Sequence, residues 1–289
     1  MSLSPASVRA VARKDFRDAL RSKTLWILSA LFVLFAAGMA YIYTLLQQGT
    51  GGELSSLDLV FFLQSPVALL VPLTALLLGY KSIAGEIDSG SVKILLSLPH
   101  SRSSVVLGKL LGRTAVLTVP ILIGFAVAAV VVVALYATFS PGYYVAFVAL
   151  TVLFGLAYVS IAVAVSATTK STSRAAVGIF GVFALFNFLW DVFGWGLHYV
   201  VTRLTEGRGV FYPFPNPPNW YFFFQRLSPN GAFSGSMTAM LPGDSQVTEY
   251  FPQGDVPFYL QDWFSLLILV AWIVVPLSLC YRRFKAADI

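Results

Sequence analysis

Hydrophobic positions along this chain fall into long unbroken runs rather than into short alternating or amphipathic stretches. Six runs reach the roughly 20 apolar residues needed to cross a bilayer as a helix. They are Thr24–Leu46, Leu59–Tyr80, Thr114–Tyr136, Tyr143–Ala167, Ala175–Leu197 and Trp263–Tyr281. The fifth carries Asp191 and the others carry no charge. Pro66, Pro72, Pro120 and Pro276 fall inside runs, where membrane helices tolerate proline. The expectation is an all-α integral membrane fold of six transmembrane helices, forming one transmembrane domain over residues 1–289.

Polar positions between the runs set an orientation. Arg9, Arg13, Lys14, Arg17, Arg21 and Lys23 precede the first run, and Lys81, Lys93, Arg102, Lys109 and Arg113 lie between the second and third. Lys170 and Arg174 separate the fourth from the fifth, while Arg282, Arg283 and Lys285 follow the sixth. Of the 19 Lys and Arg, only Arg203, Arg208 and Arg226 fall on the other side. The positive-inside rule therefore predicts a multi-pass plasma-membrane protein with both termini cytoplasmic. The net charge of +6 reads as a topology signal and not as a nucleic-acid footprint.

Composition supports this reading. Charged residues make up 11% of the chain and hydrophobic ones 57%, against about 25% charged in soluble domains. The single cysteine, Cys280, excludes an intramolecular disulfide and a Cys-based metal cage. Its expected role is that of a small buried apolar residue.

Two segments outside the runs have patterns of their own. Residues 5–23 place Val8, Val11, Ala12, Phe16, Ala19 and Leu20 at helical spacing among basic residues, which predicts an amphipathic helix at the inner membrane interface. Membrane lipids are thus expected partners. Residues 198–262 form a long extracytoplasmic segment whose stretch FYPFPNPPNWYFFFQRLSPNGAF is dense in aromatics and prolines. A short interfacial or re-entrant helix is expected near Trp220–Leu227, serving either as a lip that receives substrate or as a cap anchored at the outer headgroup level. Asp191 and nearby Asn187 are candidates for a substrate path or for a structural polar contact, because a carboxylate inside a span is costly.

The densest polar chemistry lies in AGEIDSGSVKILLSLPHSRSSVVLGKLLG, residues 84–112. Glu86 and Asp88 project about 200° apart on a helix and cannot form a facing acid/base pair. Gly108-Lys109 does not complete GxxxxGK[ST], because position 103 is Ser and position 110 is Leu. No HExxH, GxSxG or Cys/His arrangement is present, so no catalytic residue and no metal ligand is assigned. The layout instead predicts a docking shape. A helix would start at Ser89-Gly90, place Val92, Leu95 and Leu96 on one side, and end at Pro99. After a polar turn, Ser103 or Ser104 would cap the helix entering the third span.

This stretch closely resembles the signature of ABC-2 type transporter permeases. That signature runs as E-x-x-x-G-[ST]-hydrophobic-x-x-L-L-[ST]-x-P-x-[ST]-R followed by G-K, and Glu86, Gly90, Ser91, Leu95, Leu96, Ser97, Pro99, Ser101, Arg102, Gly108 and Lys109 match it. The basic N-terminal helix is similar to the family's elbow helix, and the order of features is most similar to stand-alone permeases of the NosY type.

The resemblance implies a permease subunit of an ATP-binding cassette transporter, non-catalytic itself, that couples ATP hydrolysis by a separate ATPase subunit to transport, in the direction of export. ATP and magnesium would be bound by the partner ATPase, with no cofactor in this chain. A second permease subunit would complete a homodimer or heterodimer. Residues 82–113 would form the cytoplasmic coupling region, with Glu86, Gly90, Ser91, Leu95, Leu96, Pro99, Arg102 and Lys109 as ATPase-coupling residues. Two alternatives stand beside it: a secondary transporter driven by an ion gradient, and an ABC-type mechanotransmission or signalling subunit without cargo.

Overall fold

The structure, a computed structural model, describes residues 4–48, 54–90, 101–169, 171–207, 209–210, 217–241 and 256–286, without the side chains of 24, 102 and 283–286. The predicted elements appear as helices α1 (Pro5–Leu20), α2 (Lys23–Gln48), α3 (Ser56–Gly79), α4 (Ala84–Asp88), α5 (Arg102–Leu135) and α6 (Pro141–Ala167). They are followed by α7 (Thr172–Ala184), a π turn at Leu185–Leu189, α8 (Trp190–Thr205), α9 (Asn219–Leu227), α10 (Pro229–Met240), a 3-10 turn at Phe258–Leu260, and α11 (Asp262–Ala286). Six helical runs among the described residues are long and apolar enough to cross a membrane. The protein is an all-α, six-transmembrane-helix, multi-pass membrane protein with a long loop between the fifth and sixth spans.

The chain divides into two compact units, Met1–Ile179 with Trp272–Ile289, and Phe180–Ala271. In the first, α5 packs along both α1 and α2, while α6 packs along α3 and α5. Its core is aromatic and aliphatic: Phe32, Leu59, Leu63, Phe125, Phe147, Phe154 and Tyr158 are fully buried. Phe125 meets Phe147 edge-on at 5.5 Å, and the Tyr144 hydroxyl donates to the Phe125 carbonyl at 2.8 Å. Backbone polar groups cannot be left open in hydrocarbon, and the helices meet that demand internally. Helices α3 and α5 run unbroken through Pro66, Pro72 and Pro120. The connections before α3 and after α5 are zipped together, with the Ser56 N–H on the Thr138 carbonyl at 3.2 Å and the Ser140 N–H on the Ser56 hydroxyl at 2.9 Å. Cys280 is buried, in line with its apolar reading.

In the second unit, α9 and α10 form a helix–turn–helix. The Ser228 hydroxyl caps α10 by accepting from the Gly231 N–H at 2.9 Å, and Pro229 opens that helix, where a missing N–H costs nothing. The Trp190 ring stacks on Phe224 at 4.7 Å and donates its indole N–H to the Phe224 carbonyl at 3.0 Å. Arg226 is buried; it donates to the Leu260 carbonyl at 2.5 Å and pairs with the Asp262 carboxylate. The helix expected near Trp220–Leu227 is thus present as α9. Sequence reasoning did not foresee α10, whose Gly, Ser and Asn content reads as loop.

One expectation needs correction and another is only partly in view. The Ser89-Gly90 pair closes α4: Gly90 adopts φ +74°, the left-handed conformation that glycine takes without a Cβ clash, and its N–H bonds the Ile87 carbonyl at 3.1 Å; the helix expected from there to Pro99 lies outside the described residues. The cap of α5 is Ser101, whose hydroxyl accepts from the Ser104 N–H at 3.2 Å, so neither Ser103 nor Ser104 serves as the cap.

Candidate functional site

The candidate site is built from the two ends of the polar stretch that separates α3 from α5. At its start the chain leaves α3, makes a polar turn at Tyr80–Ile83 and enters the short helix α4. This turn is held by one side chain of α6. The buried Ser166 hydroxyl accepts from the N–H groups of Ile83 and Ala84, at 3.0 and 2.9 Å, and donates to the Tyr80 carbonyl at 2.6 Å. One hydroxyl therefore satisfies the open donors at the beginning of α4 and a carbonyl at the end of α3. Nothing in the sequence around Ser166, inside an apolar run, signals this role.

Glu86 on α4 lies 2.6 Å from the ammonium of Lys109 on α5. Lys109 also meets Asp15 of α1 at 3.1 Å, and Asp15 accepts a hydrogen bond from Arg113 Nη2 at 3.1 Å, with Arg113 Nε 2.9 Å from its other oxygen as an ion-pair contact only. Two carboxylates and two cations thus form a neutral chain joining α4, α5 and α1. Asp15 is buried and Glu86 keeps only partial exposure. Charges withdrawn from water in this way persist only when paired, and here each is paired.

The approach of α1 to α5 depends on two glycines one helical turn apart. A Cβ at Gly108 would fall 2.6 Å from the Cβ of Val11, and one at Gly112 would fall 2.8 Å from the Cβ of Asp15. G-x-x-x-G is the pattern that lets membrane helices approach closely. It is legible in GKLLG, and it explains why Lys109 and Arg113, the residues following each glycine, reach Asp15. Ser104 continues the contact by accepting from the Ser4 N–H at 3.3 Å, and its own hydroxyl lies 2.7 Å from that of Ser101.

Asp88, at the end of α4 and beyond the apolar run, accepts from the hydroxyl and the N–H of Thr172 at 2.7 and 3.3 Å. Thr172 opens α7, so a carboxylate from another element caps that helix. These two hydrogen bonds hold the Asp88 carboxyl below its ordinary range. The start of the loop is therefore tied to α5 by Glu86, to α6 by Ser166 and to α7 by Asp88.

Of the residues expected to act here, Glu86, Gly90 and Lys109 lie in or beside this frame. Arg102 opens α5, and its side chain is not described. Ser91, Leu95, Leu96 and Pro99 lie outside the described residues. No group of three or more metal-ligating side chains occurs among the described residues.

Asp191 and Asn187 do not pair. Asn187, inside the π turn, donates to the Phe183 carbonyl at 3.1 Å and accepts from the Asn230 amide at 3.1 Å. Asp191 opens α8 with an exposed side chain and has no hydrogen bond among the described residues. The helical run continues past Leu197 to Thr205, so Asp191 is farther from that end than the apolar pattern predicts.

Comparison with known proteins gives a consistent result. Residues 9–289 match the family model described as ABC-2 family transporter protein. A protein of Stutzerimonas stutzeri named as a probable ABC transporter permease protein NosY is 31% identical over 286 residues, covering 95% of this chain and 96% of the relative. Its counterpart in Pseudomonas aeruginosa is 34% identical over 189 residues, covering 64% of this chain and 68% of the relative.

Proposed function

Because the chain belongs to the ABC-2 family of transporter proteins, we propose that it couples ATP hydrolysis by a separate ATPase subunit to movement across the membrane, through residues 82–113. It is a membrane permease subunit of the ABC transporter class, related to NosY permeases, and is not itself an enzyme. Both units together act as one transmembrane domain over residues 1–289. The ATPase docks on the cytoplasmic face, where both termini lie. A second permease subunit completes the path, the direction is export, and Asp191 lines or borders that path.

One observation carries the coupling reading: the three-way tie at the root of the loop. A load applied to α4 passes to α5 through Glu86 and Lys109, to α6 through Ser166, and to α7 through Asp88. A loop that only joined two spans would not need its first residues fixed to three further helices. Docking can move an equilibrium only if the docked element meets the ATPase states differently, and an element fixed in this way transmits such a difference instead of absorbing it.

The test is co-purification followed by turnover. The chain is expected to bring a Walker-containing ATPase with it, and Glu86→Ala is expected to lower transport-coupled hydrolysis several-fold with membrane insertion unchanged. A stable chain that never associates with an ATPase defeats the proposal.

A further inference from the structure

Helix α1 has three distinct faces. Val8, Val11, Ala12 and Asp15 turn toward α5. On the opposite side Arg9, Arg13, Arg17 and Arg21 follow at intervals of four residues, with Lys14 beside them, and all five are exposed. Asp18 is the one exposed acid in this helix. Between these faces, half-buried Phe16 and Leu20, 42% exposed, carry the apolar stripe to the edge of the basic row. Helix α1 enters α2 through a single turn, closed by the Ser22 N–H on the Ala19 carbonyl at 2.9 Å. The first turn of α2 then exposes Trp26 and Ile27, at 68% and 65%.

We propose that the outer face of α1 binds the headgroups of anionic phospholipids, and that Asp15 makes the coupling segment sensitive to that binding. The second half rests on the reading of residues 82–113 as the ATPase-coupling region. Five cations against one acid complement a negatively charged lipid surface. The apolar strip beside them leads, through the single turn at Ser22, to the exposed apolar start of a membrane span. A basic row bordered by an apolar strip is the pattern of a helix lying in the interface plane. On the reverse side, Asp15 is fixed to Lys109 and Arg113, and Lys109 to Glu86. Settling of α1 into the headgroup layer therefore shifts the same charge chain that holds α4. Asp15 is a positioning residue in this scheme and touches no ligand.

The experiment compares phosphatidylcholine nanodiscs with and without phosphatidylglycerol, using the full chain alone and with its ATPase. On the chain alone, native mass spectrometry is expected to show phosphatidylglycerol retained over phosphatidylcholine, with retention weakening as salt rises. Changing Arg9, Arg13, Arg17 and Arg21 together to Gln is expected to lower retention about tenfold or more, whereas changing them to Lys preserves it. In the complex, phosphatidylglycerol is expected to raise hydrolysis. Asp15→Asn is expected to abolish that dependence while lipid retention stays intact.

Equal retention of both lipids overturns the proposal, as does unchanged retention in the Gln variant. A Gln variant that keeps its lipid but loses the ATPase assigns the face to the ATPase and also overturns it. If the Gln variant fails to insert, lipid preference and salt dependence of the unmodified chain decide. Selective lipid retention with no associated ATPase upholds the lipid assignment and defeats the coupling reading alone.

Discussion

Lys109 stands between two carboxylates, 2.6 Å from Glu86 on α4 and 3.1 Å from Asp15 on α1, and so links residues from two helices through one ammonium. The pairing is unequal. Asp15 has a second cation in Arg113 and is almost wholly buried, whereas the Glu86 side chain retains 21% of its exposure.

Lys109→Met leaves Glu86 without its near cation and removes one of two from Asp15. Loss of one partner from a mostly buried pair is expected to cost about 2–4 kcal/mol, read as a lower unfolding midpoint in detergent. Glu86→Gln costs less, because Lys109 keeps Asp15. The charge-reversed pair Glu86→Lys with Lys109→Glu does not restore stability, since the new acid faces Asp15. Recovery of the midpoint in that double variant would rule out Asp15 as a partner.

Gly112→Leu drives a side chain into the Cβ of Asp15 and the carbonyl of Ala12. Overpacking of this kind costs roughly 1–3 kcal/mol, relieved here by lifting α1 from α5. Limited proteolysis is expected to cut α1 faster in the variant, with the spans intact.

Ser166→Ala removes the acceptor for two N–H groups and a donor to one carbonyl, all at a buried turn. The expected loss is about 1–3 kcal/mol. Amide exchange at Ile83 and Ala84 accelerates, while amides in the middle of α3 keep their protection.

The Asp88 contact has a definite pH dependence. Its carboxyl titrates below the ordinary 3.8 because Thr172 donates twice to the charged form. The folded value lies below the unfolded one, so the stabilisation is fully present above 3.8 and is lost as pH falls through the lower folded value. Exchange of the Thr172 amide is expected to speed up in that acid window in the unmodified chain. In Asp88→Asn it is already faster at neutral pH and shows no step there.

In the second unit, Arg226→Ala leaves the Asp262 carboxylate and the Leu260 carbonyl without their shared donor, at a cost of about 3 kcal/mol. Arg226→Lys recovers only part of this, because one ammonium cannot reproduce a planar fork serving two acceptors. Protease cleavage between α9 and α11 is the readout.

The spans were legible because hydrocarbon thickness sets one demand, length, that composition answers directly. The far end of the fifth span was not, because Tyr199–Thr205 mixes polar and apolar residues and hydropathy does not distinguish a continuing helix from a loop there. Asp15 escaped notice for a different reason. An acid among six cations reads as part of a solvated face, and its partners lie far along the chain, where periodicity gives no information. Gly108-Lys109 was visible as part of the family signature, yet what the glycine does, seating α1, follows only from its distance to Val11. Ser166 gave no signal because its partners are backbone groups, which every sequence contains.

The π turn at Leu185–Leu189 has a consequence for register. A π turn holds one residue more than an α turn, so α8 is rotated by about 100° from the phase that an uninterrupted helix would impose. Deleting one residue within 185–189 would remove the bulge and leave α8 near its present azimuth, whereas straightening the turn with all five residues kept would turn Asp191, Trp190 and all of α8 by about 100°, without changing a single side chain's chemistry. The azimuth of Asp191 is thus written into the backbone of that turn as much as into residue identity.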